Sequence, residues 1–162
     1  MKALAVFSIL LFALTMACGD GNSAGNPGDA VTEMFDALKA GDGERAVAYM
    51  SESALSEMDS QLEMIKMAPA QSAQQLSAMG IEIDAADIPD MTTKDFMVAL
   101  ISSPVITSLM ESSEVSIGEV TIDGNTARVE VTTIVMGESE TNTIDVVKED
   151  GQWKVTEFGM NM

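Results

Sequence analysis

From Val115 to Phe158 the pattern of apolar and polar residues reads as four short strands joined by tight turns. In Ala127 to Val135 the apolar Ala127, Val129, Val131 and Val135 fall on every second position, with Arg128, Glu130 and Thr132 between them. Successive side chains of a strand point to opposite faces, so this spacing predicts strands with one face on a core and one in water. Three turn signals divide the run: Asp123-Gly124, Gly137-Glu138-Ser139-Glu140 and Asp150-Gly151. Asp-Gly between alternating segments predicts a two-residue hairpin, because a type I′ turn needs φ > 0 at both central residues. The expectation is a four-stranded antiparallel meander. Pairing about Asp150-Gly151 sets Val146 opposite Val155 and Lys148 opposite Trp153. Pairing about Asp123-Gly124 sets Val120 opposite Ala127 and Glu119 opposite Arg128, a cross-strand ion pair worth well under ~1 kcal/mol.

Upstream the period changes to that of a helix. Val31, Met34, Phe35 and Leu38 stand at i, i+3, i+4 and i+7, with Asp29 as the expected N-cap and Gly41 as the residue after the helix. Asp42 caps a short second helix whose buried side holds Ala46, Val47 and Met50. A third helix is expected from Glu52 to Met67 on Leu55, Met58, Leu62 and Ile65, ended by Pro69. Ala70 to Met79 continues as a weakly amphipathic Gln/Ala-rich helix. Ile81-Glu82-Ile83 reads as a short strand and Asp84 to Met91 as a loop. Thr92, with Asp95 three places on, opens a further helix in capping-box spacing, and Pro104 interrupts it. The fold class is therefore α+β, with N-terminal helices packed on a C-terminal antiparallel sheet, and 162 residues make one such domain.

The first residues follow neither period. Met1-Lys2 precedes an apolar run, Ala3 to Leu14, that is too short to span a bilayer and has the form of a signal peptide. Leu14-Thr15-Met16-Ala17-Cys18 resembles the lipobox of bacterial lipoproteins. The resemblance implies cleavage between Ala17 and Cys18 and a diacylglyceryl group on Cys18, the single cysteine. The bland alternative is ordinary cleavage that leaves a free thiol. Gly19 to Gly28 is Gly/Asn/Ser-rich and reads as a flexible tether. The expected organisation is a signal peptide over 1–17, a lipidated tether over 18–28 and the domain over 29–162. The implied location is the periplasmic face of the cell envelope. Gly19, where an Asp would favour retention in the inner membrane, implies the outer membrane in a two-membrane cell.

Composition removes several function classes. A net charge of −18 opposes nucleic acid, which needs Lys and Arg to displace counterions. The chain has no histidine, hence no imidazole base or metal ligand, and one cysteine allows neither an internal disulfide nor a thiolate zinc site. No cofactor motif and no identifiable catalytic residue are present. Fourteen methionines are conspicuous. Met64-x-x-Met67 and Met160-x-Met162 have spacings used by thioether copper(I) sites, though methionine more often fills a core or an adaptable surface.

Four segments carry a wider resemblance: Pro27 to Leu38, Lys39 to Ala46, Val120 to Val129, and Val147-Lys148-Glu149-Asp150-Gly151-Gln152-Trp153-Lys154-Val155. They resemble small bacterial lipoproteins of the nuclear-transport-factor-2-like superfamily, in a family of undefined function. The resemblance implies a cone-shaped domain with a curved sheet around an interior, which superfamily enzymes furnish with Asp, Tyr or His. It also implies dimers through the exposed sheet face, on which Arg128, Glu130, Thr132, Ile134 and Met136 are expected. Phe35, Tyr49, Phe96, Val129, Val131 and Trp153 are the candidate pocket lining. The expected role is non-enzymatic binding of a small apolar ligand or a protein partner. An isomerase- or dehydratase-like enzyme and a structural accessory subunit are the alternatives.

Overall fold

The computed structural model describes residues 25–135 and 137–156. Cys18, Ala17, Met136, Phe158, Met160 and Met162 lie outside the described residues, as does most of the expected tether. No described helix is long and apolar enough to cross a membrane.

Six α-helices precede four strands: α1 (Pro27–Ala40), α2 (Gly43–Ala48), α3 (Glu52–Lys66), α4 (Pro69–Ala78), α5 (Thr93–Ile101), α6 (Pro104–Glu111), then β1 (Ser113–Asp123), β2 (Thr126–Val135), β3 (Glu138–Glu149) and β4 (Gln152–Val155). The strands form one antiparallel sheet in chain order. The α+β expectation holds. Helix α1 begins earlier than expected: Asn26, not Asp29, is the N-cap, and its side chain accepts from the Asp29 N–H at 3.0 Å. Pro27 fits the first helical position because that N–H has no intrahelical partner. Pro27 and Gly28, expected in the tether, are buried in the first turn. Pro69 starts α4 as well as stopping α3, for the same reason. Ile81-Glu82-Ile83 forms no strand; Ile81 folds back so that its N–H donates to Leu76 O at 2.9 Å.

The Asp150-Gly151 hairpin is as expected. Both residues have positive φ, 50° and 83°, and Val146 pairs with Val155 and Lys148 with Trp153. The first hairpin differs. Asp123 pairs with Thr126, so its central residues are Gly124 and Asn125, with positive φ at Gly124 only, the type II′ pattern. Val120 faces Val129 and Arg128 faces Thr121. Between Val120 and Asp123 the shift is by two residues, which keeps those side chains on their expected face. A bulge then places Gly118 and Glu119 opposite Glu130 alone, so Glu119 does not oppose Arg128. A side chain at Gly118 would run into the Glu130 carboxylate.

Alternation delivers the core. Ala127, Val129, Val131, Ile144, Val146, Trp153 and Val155 present one buried face, and α1 lies across it with Val31, Met34, Phe35 and Leu38. Helices α2 and α6 flank α1, α5 packs on α2, α3 packs on α5, and α4 packs on α3. Gly43 allows the close crossing of α2 and α5: a Cβ there would lie 2.5 Å from Val98 O and 2.7 Å from Ser102 Oγ. The end of β4 is tied to the helices. Val155 N–H donates to Tyr49 O at 2.8 Å, Ser51 N–H donates to Val155 O at 2.9 Å, and the Lys154 ammonium donates to Ala48 O. The outer sheet face carries Arg128, Glu130, Thr132, Thr143 and Asp145, all at least partly exposed.

A groove beside the core as candidate functional site

Helices α3, α4 and α5 leave a cavity of about 320 Å³ between them. Helical spacing brings Met58, Gln61 and Ile65 of α3 to one side. Ser72, Gln75, Leu76 and the following Met79 come from α4, Phe96 and Leu100 from α5, and Ile81 from the chain after α4. Three features hold the walls. The Ser72 hydroxyl donates to Ile65 O at 3.0 Å and joins the start of α4 to the end of α3. Gly80, at φ 80°, turns the chain back so that Ile81 reaches the groove. The capping box of α5 is complete: the Thr92 and Asp95 N–H groups each donate to the other residue's side chain. Leu76, Ile81 and Phe96 are buried and form the floor. Met79 is 56% exposed at the rim, and Met64 and Met67, at the C-terminal end of α3, are 60% and 78% exposed.

Among the described residues no ionisable side chain lines this groove. Its polar groups are two amides and a hydroxyl, each able to donate and accept. The site can therefore enclose an apolar body and fix its orientation by neutral hydrogen bonds. Nothing in it can act as a general acid or base at neutral pH.

All six candidate lining residues are buried in one core cluster. Of these, Phe96 also borders the groove, whereas Phe35, Tyr49, Val129, Val131 and Trp153 belong to the layer between sheet and helices. Trp153 lies under the Lys148 ammonium, 5.5 Å from the ring centre. Apart from Phe96, the groove residues were not singled out from sequence as ligand contacts. The available signal was the density of Met and Gln between residues 58 and 79, which an ordinary amphipathic helix also shows.

Two polar sites near α2 carry shifted ionisable groups. Arg45 and Glu33 form a half-exposed ion pair near the buried Tyr49. The hydrogen bond to Glu33 raises the Arg45 pKa above its ordinary value. Burial pushes the Tyr49 phenol up, Glu33 adds to that rise, and Arg45 opposes it. A phenol so shifted stays protonated at neutral pH. The second site is an open depression of about 670 Å³ between α2 and α5, lined by Glu44, Lys94, Asp95, Val98, Ala99 and Ser102. Its Asp95 is held below the usual carboxylate range by hydrogen bonds from Thr92. Among the described residues no group of three or more Cys, Asp or Glu is arranged to hold a metal ion.

The fold and groove define a helices-on-sheet domain with a lateral groove of neutral lining. Residues 28–157 match a family model described as "Putative lumazine-binding", and the chain belongs to that family. No curated protein matches it in sequence. It is similar to a solved structure from Campylobacter jejuni described as a "Putative NTF2-like transpeptidase", at 17% identity and a TM-score of 0.42, over 80% of this chain and 96% of the other. The domain is of the nuclear-transport-factor-2-like kind expected from the sequence.

Proposed function

We propose that the protein is a lipid-anchored binding protein of the bacterial cell envelope, which holds a small, largely apolar ligand in the groove between α3, α4 and α5 without transforming it. The observation that carries this reading is the lining: seven apolar side chains, two amides, a hydroxyl and no ionisable group. Ligand sites commonly combine an apolar wall with a few orienting polar groups. The ligand class in the family's description suits that wall. A lumazine is a flat heteroaromatic ring system edged with carbonyl and ring-nitrogen groups, which Gln61 and Gln75 can meet as donors or acceptors. An isomerase or dehydratase reading would need an acid or base in the groove, and none lines it. Stacking two copies on the outer sheet face would bring together four carboxylates, Glu130 and Asp145 of each, and only two Arg128 guanidiniums, so binding rather than self-association is the favoured role.

The anchor reading rests on the apolar run Ala3 to Leu14 and on the placement of Cys18. Blocking lipoprotein signal peptidase with globomycin, or Cys18→Ser, is expected to leave the protein unprocessed or soluble. A Cys18→Ser chain that still fractionates with membranes removes this part. For the ligand, calorimetric titration should be run with lumazine and with the neutral dye Nile red. Both are expected to bind. Replacing Gln61 and Gln75 with Leu should weaken lumazine by roughly tenfold or more, the equivalent of one or two net hydrogen bonds, and leave the dye unaffected. No binding of either probe would end the proposal.

A further inference from the structure

We infer that the free end of the β1–β2 hairpin is the surface that rests on the lipid bilayer, with Val120 and Ile122 set into its interface. This rests on the anchor reading for Cys18. Val120 and Ile122 are neighbours on one face of the edge strand β1, and they are 36% and 56% exposed although that face elsewhere meets the core. Helix α1 covers the earlier part of this face and stops short of Ile122. A Cβ added at Gly28 would touch the side chains of Ile117 and Val120 at 3.4 Å, so the first turn of α1 sits directly on this part of the strand.

The chain that leads back to the anchor therefore departs from the same place. Asn26 caps α1, and seven residues separate it from Cys18. The eight Cα–Cα steps from Cys18 to Asn26 can span at most about 28 Å. The lipid thus holds this end of the domain within a short reach of the membrane surface, where two unpartnered aliphatic side chains are already exposed. Tethering makes their insertion an intramolecular event. Asp123 and Glu119 flank the pair, so the surface suits a zwitterionic interface better than an anionic one.

The opposite end follows from the length of α1. Fourteen residues span about 21 Å. Beyond its C-terminus, Gly41 meets Thr107 of α6 and Gly43 meets α5, the helix that walls the groove. The C-terminal end of α1 thus lies about one helix length from its Val120 end.

The test uses the full acylated protein in phosphatidylcholine vesicles. Acylation consumes the single native thiol, so Ile122→Cys, or Val120→Cys as a second position, can be labelled with an environment-sensitive fluorophore. Gln74→Cys on α4 is the distal control. The label at 122 or 120 should emit to the blue and be quenched by lipids spin-labelled near the headgroup, whereas the label at 74 should show neither. In the 122-labelled protein, Val120→Asp should reverse the shift. Added anionic lipid should diminish it. A label at 122 and 120 as wet as at 74, on protein whose N-terminal peptide mass confirms the lipid, overturns this inference alone. A shift without quenching by lipid would mean that a second copy covers the strand, and also overturns it. A mass showing a bare Cys18 overturns this inference and the anchor reading together, while leaving the groove titrations untouched.

Discussion

The β3–β4 hairpin and the α3–α4 pair are both attached to the same core, but they are attached differently. The hairpin is fastened to the helices and to its own strands by several hydrogen bonds. Thr156 N–H donates to Asp145 O at 3.0 Å, the Glu149 carboxylate accepts from Glu52 N–H at the start of α3 at 3.2 Å, and Val155 exchanges bonds with Tyr49 and Ser51. Trp153 and Val155 are buried beneath it. In contrast, α3 buries only Ala54 and Leu62, and α4 only Leu76. Their remaining contacts are partial and rich in methionine and glutamine. Stability within a domain is uneven, and regions with few buried apolar contacts open first. The hairpin therefore serves as closure of the scaffold, and the α3–α4 flank as the part able to yield to a ligand.

The largest expected effect tests the closed side. Trp153→Ala removes a buried indole from beneath Lys148 and from the core, and should cost ~3–5 kcal/mol in urea unfolding. A cost below ~1 kcal/mol would mean that the hairpin does not close the core. Native-state hydrogen exchange sharpens the same contrast: amides of β2 and β3 should exchange only through global unfolding, and those of α4 through a smaller, local opening.

A smaller effect concerns α5, the wall between the two regions. The capping box of Thr92 and Asp95 secures its first turn. Thr92→Ala should cost ~1 kcal/mol. The Asp95 pKa is depressed in the folded protein, chiefly by the Thr92 hydroxyl. A depressed folded pKa means that the contribution is complete above the carboxylate range of the unfolded chain and is lost as pH falls through the lower folded value. Stability of the wild type should therefore fall more steeply below about pH 4 than that of Asp95→Asn. Parallel acid limbs would show that the box contributes nothing.

The same contrast decides how much was legible beforehand. Asp150-Gly151 could be read because a type I′ turn demands positive φ twice, and few residue pairs permit that. Asp123-Gly124 has the same letters, yet the turn centres on Gly124-Asn125. A type II′ turn also accepts glycine, at its first position, and the bulge at Gly118-Glu119 takes up the remaining offset. Local letters cannot register that offset, since the Glu130 side chain that crowds Gly118 is remote in sequence. The apolar face of α1 was legible because it is wide and entirely buried. Its start was misplaced because Asn26 and Asp29 are both good caps, and only Pro27 at the first position separates them. The groove was the least legible part. Met58, Ile65 and Leu76 have the spacing of any core-facing stripe. Whether such a stripe meets a full core or leaves about 320 Å³ open depends on the separation of α3, α4 and α5, which no single segment encodes. Ile81-Glu82-Ile83 alternated like a strand, but the sheet ends at β1 and β4 and offers it no partner.

The smallest expected effect tests the open side. Met64 and Met67 project from the last turns of α3 into solvent. If they served the core, replacing both with Gln would cost several kcal/mol, as truncations of buried methionine do. Exposed positions away from special features change stability by no more than ~0.5 kcal/mol, and glutamine is nearly as good a helix former as methionine. The double variant should therefore unfold at the same urea concentration as the wild type, within about that margin. If these residues belong to an adaptable rim, its affinity for Nile red should still fall, because Gln presents an amide where Met offered a polarisable, flexible thioether. A change in unfolding with no change in dye binding would reverse the assignment: the flank would then be scaffold, and the functional difference between the two regions would disappear.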